Sequence, residues 1–77
     1  MKQSMEYDQL EILIHELEKM MKKEKNRRLY ERYQAIILHL NGYTNIKIAE
    51  IIGRSNLTIG TYIKRYQAGG IAGLEIS

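Results

Sequence analysis

Seventy-seven residues leave room for one small domain, because a chain of this size buries only about 60% of the surface its unfolded form exposes. The composition is 44% hydrophobic, with no Cys and no Pro, which excludes disorder throughout, a disulfide framework and a thiolate metal site. The net charge of +3 is unevenly spread: residues 1–18 hold five acids against one base, and the remainder eleven bases against four acids, so a polyanionic partner suits the basic end.

No Pro forces a break, and apolar residues recur at three- and four-residue steps nearly throughout. The predicted fold class is therefore all-α: a helix-turn-helix three-helix core preceded by an additional N-terminal amphipathic helix. That first helix is expected over about 5–24 on the stripe Leu10, Leu13, Ile14, Leu17, Met20 and Met21, with Ser4 as its cap. Glu6, Asp8 and Glu11 near its start, and Lys19, Lys22 and Lys23 near its end, suit the helix dipole. A second stripe, Leu29, Tyr33, Ile36, Ile37 and Leu40, predicts a helix over about 27–41, opened by Asn26 and stopped by Asn41-Gly42. A break near Asn26 is expected; one uninterrupted helix would run to roughly 54 Å at 1.5 Å per residue and would call for a dimer.

Beyond Gly42 the elements shorten. Thr44 caps a helix over about 45–52 carrying Ile48, Ala49 and Ile52 and ending at Gly53, and Ser55 opens another over about 56–67 with Ile59, Tyr62, Ile63 and Tyr66 inward. Gly69, Gly70 and Gly73 predict the end of helical order and a frayed tail, with Ile71 and Leu74 as its apolar anchors. The chain thus divides into residues 1–26, an amphipathic helix for packing or homodimerisation, and residues 27–77, a helix-turn-helix domain.

The spacing Ala49-x-x-x-Gly53, with Ile59 six residues on, has a mechanical reading: a small residue lets two helices approach, Gly permits the sharp turn, and Ile48, Ile52 and Ile59 lock the crossing. At 100° per residue the inward stripe of the last helix leaves Leu57, Gly60, Thr61 and Lys64 on its far face, with Asn56 and Arg65 beside it. In a helix-turn-helix this helix enters the major groove by its N-terminus, so Asn56, Leu57, Gly60, Thr61 and Lys64 are the candidate base readers of double-stranded DNA. Asn pairs with adenine, Leu touches a thymine methyl, and Thr does either. Gly60 costs the helix about 0.8 to 1 kcal/mol relative to Ala; it either lets the backbone approach the groove or is a tolerated exposed position. Lys47, Arg54, Arg65, Arg27 and Arg28 are the candidate phosphate contacts, the last two as members of a separate, denser basic patch of Lys22, Lys23, Lys25, Arg27, Arg28 and Arg32.

From residue 27 onward the sequence resembles the N-terminal helix-turn-helix of mariner-like bacterial insertion-sequence transposases, which is similar to one half of a paired-type DNA-binding domain. The matching words are Glu31-Arg32, Ala35-Ile36, the run from Lys47 to Ser55, Thr58-Ile59, the run from Tyr62 to Tyr66, and Gly70-Ile71-Ala72-Gly73-Leu74. The resemblance implies recognition of the terminal inverted repeats of a mobile element by Asn56, Leu57, Gly60, Thr61 and Lys64. Arg54 departs from the apolar residue that often follows the turn Gly. The family's strand-transfer activity needs three acidic metal ligands in a separate domain, whereas this sequence has one Asp, Asp8.

An enzyme would have to begin with His15 or His39, but no nucleophile-base-orienter set and no Gly-rich phosphate loop stands in the sequence; Glu11, His15 and Glu18, at helical spacing, are a geometrically conceivable three-ligand metal set. The expectation is a chain that is not an enzyme and takes no cofactor, metal or small-molecule substrate. No run is long and apolar enough for a membrane span and no signal peptide opens the chain, so a soluble, cytoplasmic protein without a membrane partner is expected. The alternatives to a transposase domain are a stand-alone helix-turn-helix transcriptional regulator and a protein-interaction or dimerisation module.

Overall fold

The computed structural model describes the backbone of residues 2–75 and the side chains of residues 9–75. The fold is all-α, with α1 (Lys2–Lys23), α2 (Arg27–Leu40), α3 (Asn45–Ile52) and α4 (Asn56–Glu75). α1 begins ahead of the expected start, so Ser4 lies within the helix rather than at its cap; Ser has no steric quarrel with a helix interior, and nothing before it breaks the chain. The side chains of Ser4, Glu6 and Asp8 fall outside the described residues.

The break between α1 and α2 has a local cause. The Asn26 side chain accepts from the Leu29 amide at 3.1 Å, and the Glu24 carboxylate accepts from the Asn26 amide at 3.0 Å, so amides that a new helix would leave unsatisfied are paired. Three residues reverse the chain and lay α1 back along α2. α2 then stops in a Schellman arrangement: Gly42, at φ +94°, donates to the His39 carbonyl at 3.0 Å, and Tyr43 donates to that of Leu38 at 3.1 Å.

Every other helix packs on α2. Its fully buried Tyr33, Ala35 and Ile36 meet Leu17 of α1, Ile48 of α3 and Ile59 and Leu74 of α4 in one core. Leu17 alone of the α1 stripe is fully enclosed; Leu10, Leu13, Ile14, Met20 and Met21 are half-buried. Ile52, expected to lock the α3–α4 crossing, is half-buried too, which leaves that duty to Ile48, Ala49 and Ile59.

The end of the chain departs most from expectation. Gly70 interrupts α4 at φ +62°, ψ −148°, a conformation open to Gly and strained for residues with a Cβ, and the helix resumes as a final turn. That turn is not frayed. Leu74 is fully buried, the Arg32 guanidinium donates to its carbonyl at 2.7 Å, and the Tyr33 hydroxyl donates to the Glu75 carboxylate at 3.1 Å. Burial first, and then the Glu75 carboxylate, push the Tyr33 hydroxyl up to about 12. A Cβ on Gly73 would collide with the backbone carbonyl of Arg65, so the turn lies backbone to backbone against the helix it came from.

Candidate nucleic-acid interface

α3 and α4 meet through Gly53, Arg54 and Ser55. Thr44 accepts from the Lys47 amide at 3.2 Å and fixes the start of α3. Gly53 ends it at φ +83°, where its amide and that of Arg54 both donate to the Ala49 carbonyl, at 2.8 and 3.1 Å. Ser55 then accepts from the Thr58 amide at 3.2 Å and starts α4. With both ends of the elbow capped, Ile59, Tyr62 and Ile63 anchor α4 in the core and turn its other face to solvent.

That outward face carries the residues expected to read bases. Asn56, Leu57, Thr61 and Lys64 are exposed, Leu57 at 82%, and Gly60 lies between them with open space where a Cβ would stand. The Thr61 hydroxyl donates to the Leu57 carbonyl at 3.0 Å, a bond to its own helix that occupies its one proton.

Two of the five expected phosphate contacts, Arg54 and Arg27, share one carboxylate beside the elbow. Arg54 sits side-on to Glu31, Nε to Oε2 at 2.9 Å and Nη2 to Oε1 at 3.1 Å, while Arg27 approaches the same carboxylate at 3.9 Å. Glu31, itself buried, is approached by Arg27, the first residue of α2, and by Arg54 of the α3–α4 connection. The bonds to Glu31 raise the Arg54 pKa. Arg28 is exposed next to Arg27. Lys47 stands apart on α3, 3.7 Å from Glu50 with both side chains largely in water, a pair too exposed to be worth much. Arg65 is half-buried on the flank of α4.

Arg32 does not belong to the basic surface patch. It is buried, stacked 5.7 Å from the centre of the Tyr62 ring and bonded to the Leu74 carbonyl, and so joins α2 to both parts of α4. The signal was present in the spacing: position 32 falls three after Leu29 and four before Ile36, inside the apolar stripe. Glu31 carried no comparable signal, because its partner lies 23 residues away in sequence. Among the described residues, no three His or carboxylate groups converge as a metal site would require, Glu11, His15 and Glu18 included. Nor, among the described residues, is any helix long and apolar enough to cross a membrane.

Residues 30–76, more than half of the chain, match the profile of the family described as "Putative ATPase subunit of terminase (gpP-like)". The chain belongs to this family. The match overturns the resemblance to mariner-like transposases, since it covers the same helices and assigns them elsewhere. Of the shared words, those between Lys47 and Ile59 are ones that the elbow itself demands, Ala49 and Gly53 for the turn and the isoleucines for the seam, and unrelated proteins with this elbow need them equally. Neither a curated protein nor a solved structure matches the chain.

Proposed function

We propose that this terminase-family chain binds double-stranded DNA in a sequence-specific manner through the α3–α4 elbow, with α4 as the reading helix. One observation carries the proposal: α4 is fixed by Ile59, Tyr62 and Ile63 in the core, yet Asn56, Leu57, Thr61 and Lys64 on its other face are exposed, and Gly60 among them has open space where a Cβ would stand. In this reading Arg54 and Arg27, both beside Glu31, contact the phosphate backbone, with Arg28, Lys47 and Arg65 as further backbone contacts. Family membership supports the reading, because a terminase works on DNA. The ATPase named in the family's description is not what we place in these helices; the 77 residues contain no Gly-x-x-x-x-Gly-Lys-Ser or -Thr phosphate loop. Residues 27–77 form the binding unit in this reading. α1 offers the surface for a homodimer, supported by its half-buried Leu10 and Ile14 and by Ile12, 61% exposed.

The rival reading is a protein-docking module, favoured by the exposed Ile46 and Ile51 of α3. Titration of duplex DNA at several salt concentrations separates the two. The DNA reading expects affinity to fall steeply with salt, and Lys64→Ala to weaken binding while lowering the slope of log K against log salt by about 0.9. Affinity that ignores both salt and Lys64→Ala would overturn it.

A further inference from the structure

The outward face of α4 is less polar in the structure than its residue names suggest. Near its N-terminal end Leu57 is 82% exposed, the most solvent-exposed of the large hydrophobic residues among those described. Thr61, one turn on, has turned its hydroxyl proton to the Leu57 carbonyl at 3.0 Å, so what it can offer a base is its methyl group and an accepting oxygen. Gly60 between them presents bare backbone with nothing within reach of a Cβ. A Leu side chain, a Thr methyl and a Gly Cα therefore make a continuous apolar strip, framed by Asn56 at the helix start and Lys64 a turn beyond Thr61.

An apolar strip on a helix that enters the major groove has one base feature to match. Of the four base pairs' major-groove edges, the C5-methyl of thymine is the one apolar group that projects into the groove; cytosine shows a bare C5–H there, and the remaining features are hydrogen-bond donors or acceptors that the strip cannot satisfy. Burying Leu57 against polar edges would leave those edges dehydrated and unpaired, which is costly. The missing side chain at Gly60 removes what would hold the strip off the groove floor. We propose that Leu57, with Gly60 and the Thr61 methyl, reads thymine methyl groups, so that the target contains one or two A·T pairs whose thymines face this strip. The inference rests on the DNA-binding reading above and names what that site recognises.

The test uses the full chain and a duplex selected by it from a random-sequence pool. Each thymine of the selected site is replaced in turn by deoxyuridine, which keeps the pairing with adenine and removes only the methyl. At one or two positions the wild-type chain should bind about three- to fivefold more weakly, the effect of losing one buried methyl. Leu57→Ala, at an exposed position where folding is undisturbed, should bind the thymine and deoxyuridine duplexes equally. If every deoxyuridine duplex binds the wild-type chain as tightly as its thymine parent, while binding stays salt-dependent and sensitive to Lys64→Ala, methyl reading is overturned and DNA binding stands. If no duplex is bound at low salt, both fall.

Discussion

Gly60 and Gly69 form a natural pair of controls within one helix. Both lie in helical stretches of α4, neither has φ in the left-handed range, and a Cβ at either would meet nothing within 4 Å. Folding alone therefore gives no reason for Gly at either place, and each should gain about 0.8 to 1 kcal/mol on replacement by Ala. The two differ in what lies outside: Gly60 sits within the exposed strip and Gly69 at the far end of the helix. Thermal unfolding of Gly60→Ala and Gly69→Ala should show both raised in Tm, by roughly 4 to 8 °C for a domain of this size. A DNA titration should then find only Gly60→Ala weakened. Equal DNA affinity in the two variants would mean that the groove does not need the bare backbone at 60. At this scale the sequence was readable wherever a residue type has one mechanical use. Asn26, Thr44, Gly53 and Ser55 all serve at the helix ends where their chemistry placed them. Arg54 was not readable, because pairing with Glu31 is a property of where two helices end up, and the same residue name suits a solvated surface equally.

The elements show the same division. The bounds of α2 and α3 follow from caps and stripes within their own few residues. α4 was expected to end near 67, because three glycines in five residues signal a stop when read locally, yet two of them build the return turn: Gly70 through its positive φ and Gly73 through its missing side chain. Whether a Gly stops a helix or permits a close approach depends on what lies opposite, and here that is the Arg65 carbonyl, eight residues back in the same helix. Gly73→Ala should force the last turn away from α4 and loosen Leu74, the Arg32 bond to its carbonyl and the Tyr33 bond to Glu75. Overpacking of this kind costs about 1 to 3 kcal/mol. Denaturant unfolding should place Gly73→Ala below the wild type by that amount, with Gly69→Ala above it. A Gly73→Ala variant as stable as the wild type would mean that the turn contributes nothing to the fold.

For the whole molecule the open question is whether α1 is an appendage to the helix-turn-helix or part of it. The charge division at residue 18 and the family match beginning at residue 30 both suggest a boundary near the α1–α2 connection. Packing argues the other way, because Leu17 is fully enclosed in the same core as Tyr33, Ile36, Ile48 and Ile59. In a chain of this length total stability is of the order of 4 to 12 kcal/mol, and truncating a buried Leu to Ala costs about 2 to 5 kcal/mol, so a single shared core could not absorb the loss locally. Leu17→Ala should therefore lower the Tm of the whole chain by 10 °C or more. It should do so in one cooperative transition, seen alike by helical circular dichroism and by tyrosine absorbance, where five of the six tyrosines lie beyond α1 and Tyr33 and Tyr62 are buried in α2 and α4. Ile12→Ala, on the same helix but 61% exposed, should leave the Tm nearly unchanged at protein concentrations low enough to keep the chain monomeric. If Leu17→Ala melts the helices in two steps, with the tyrosine signal keeping its wild-type midpoint, α1 is a separate unit and the helix-turn-helix stands without it.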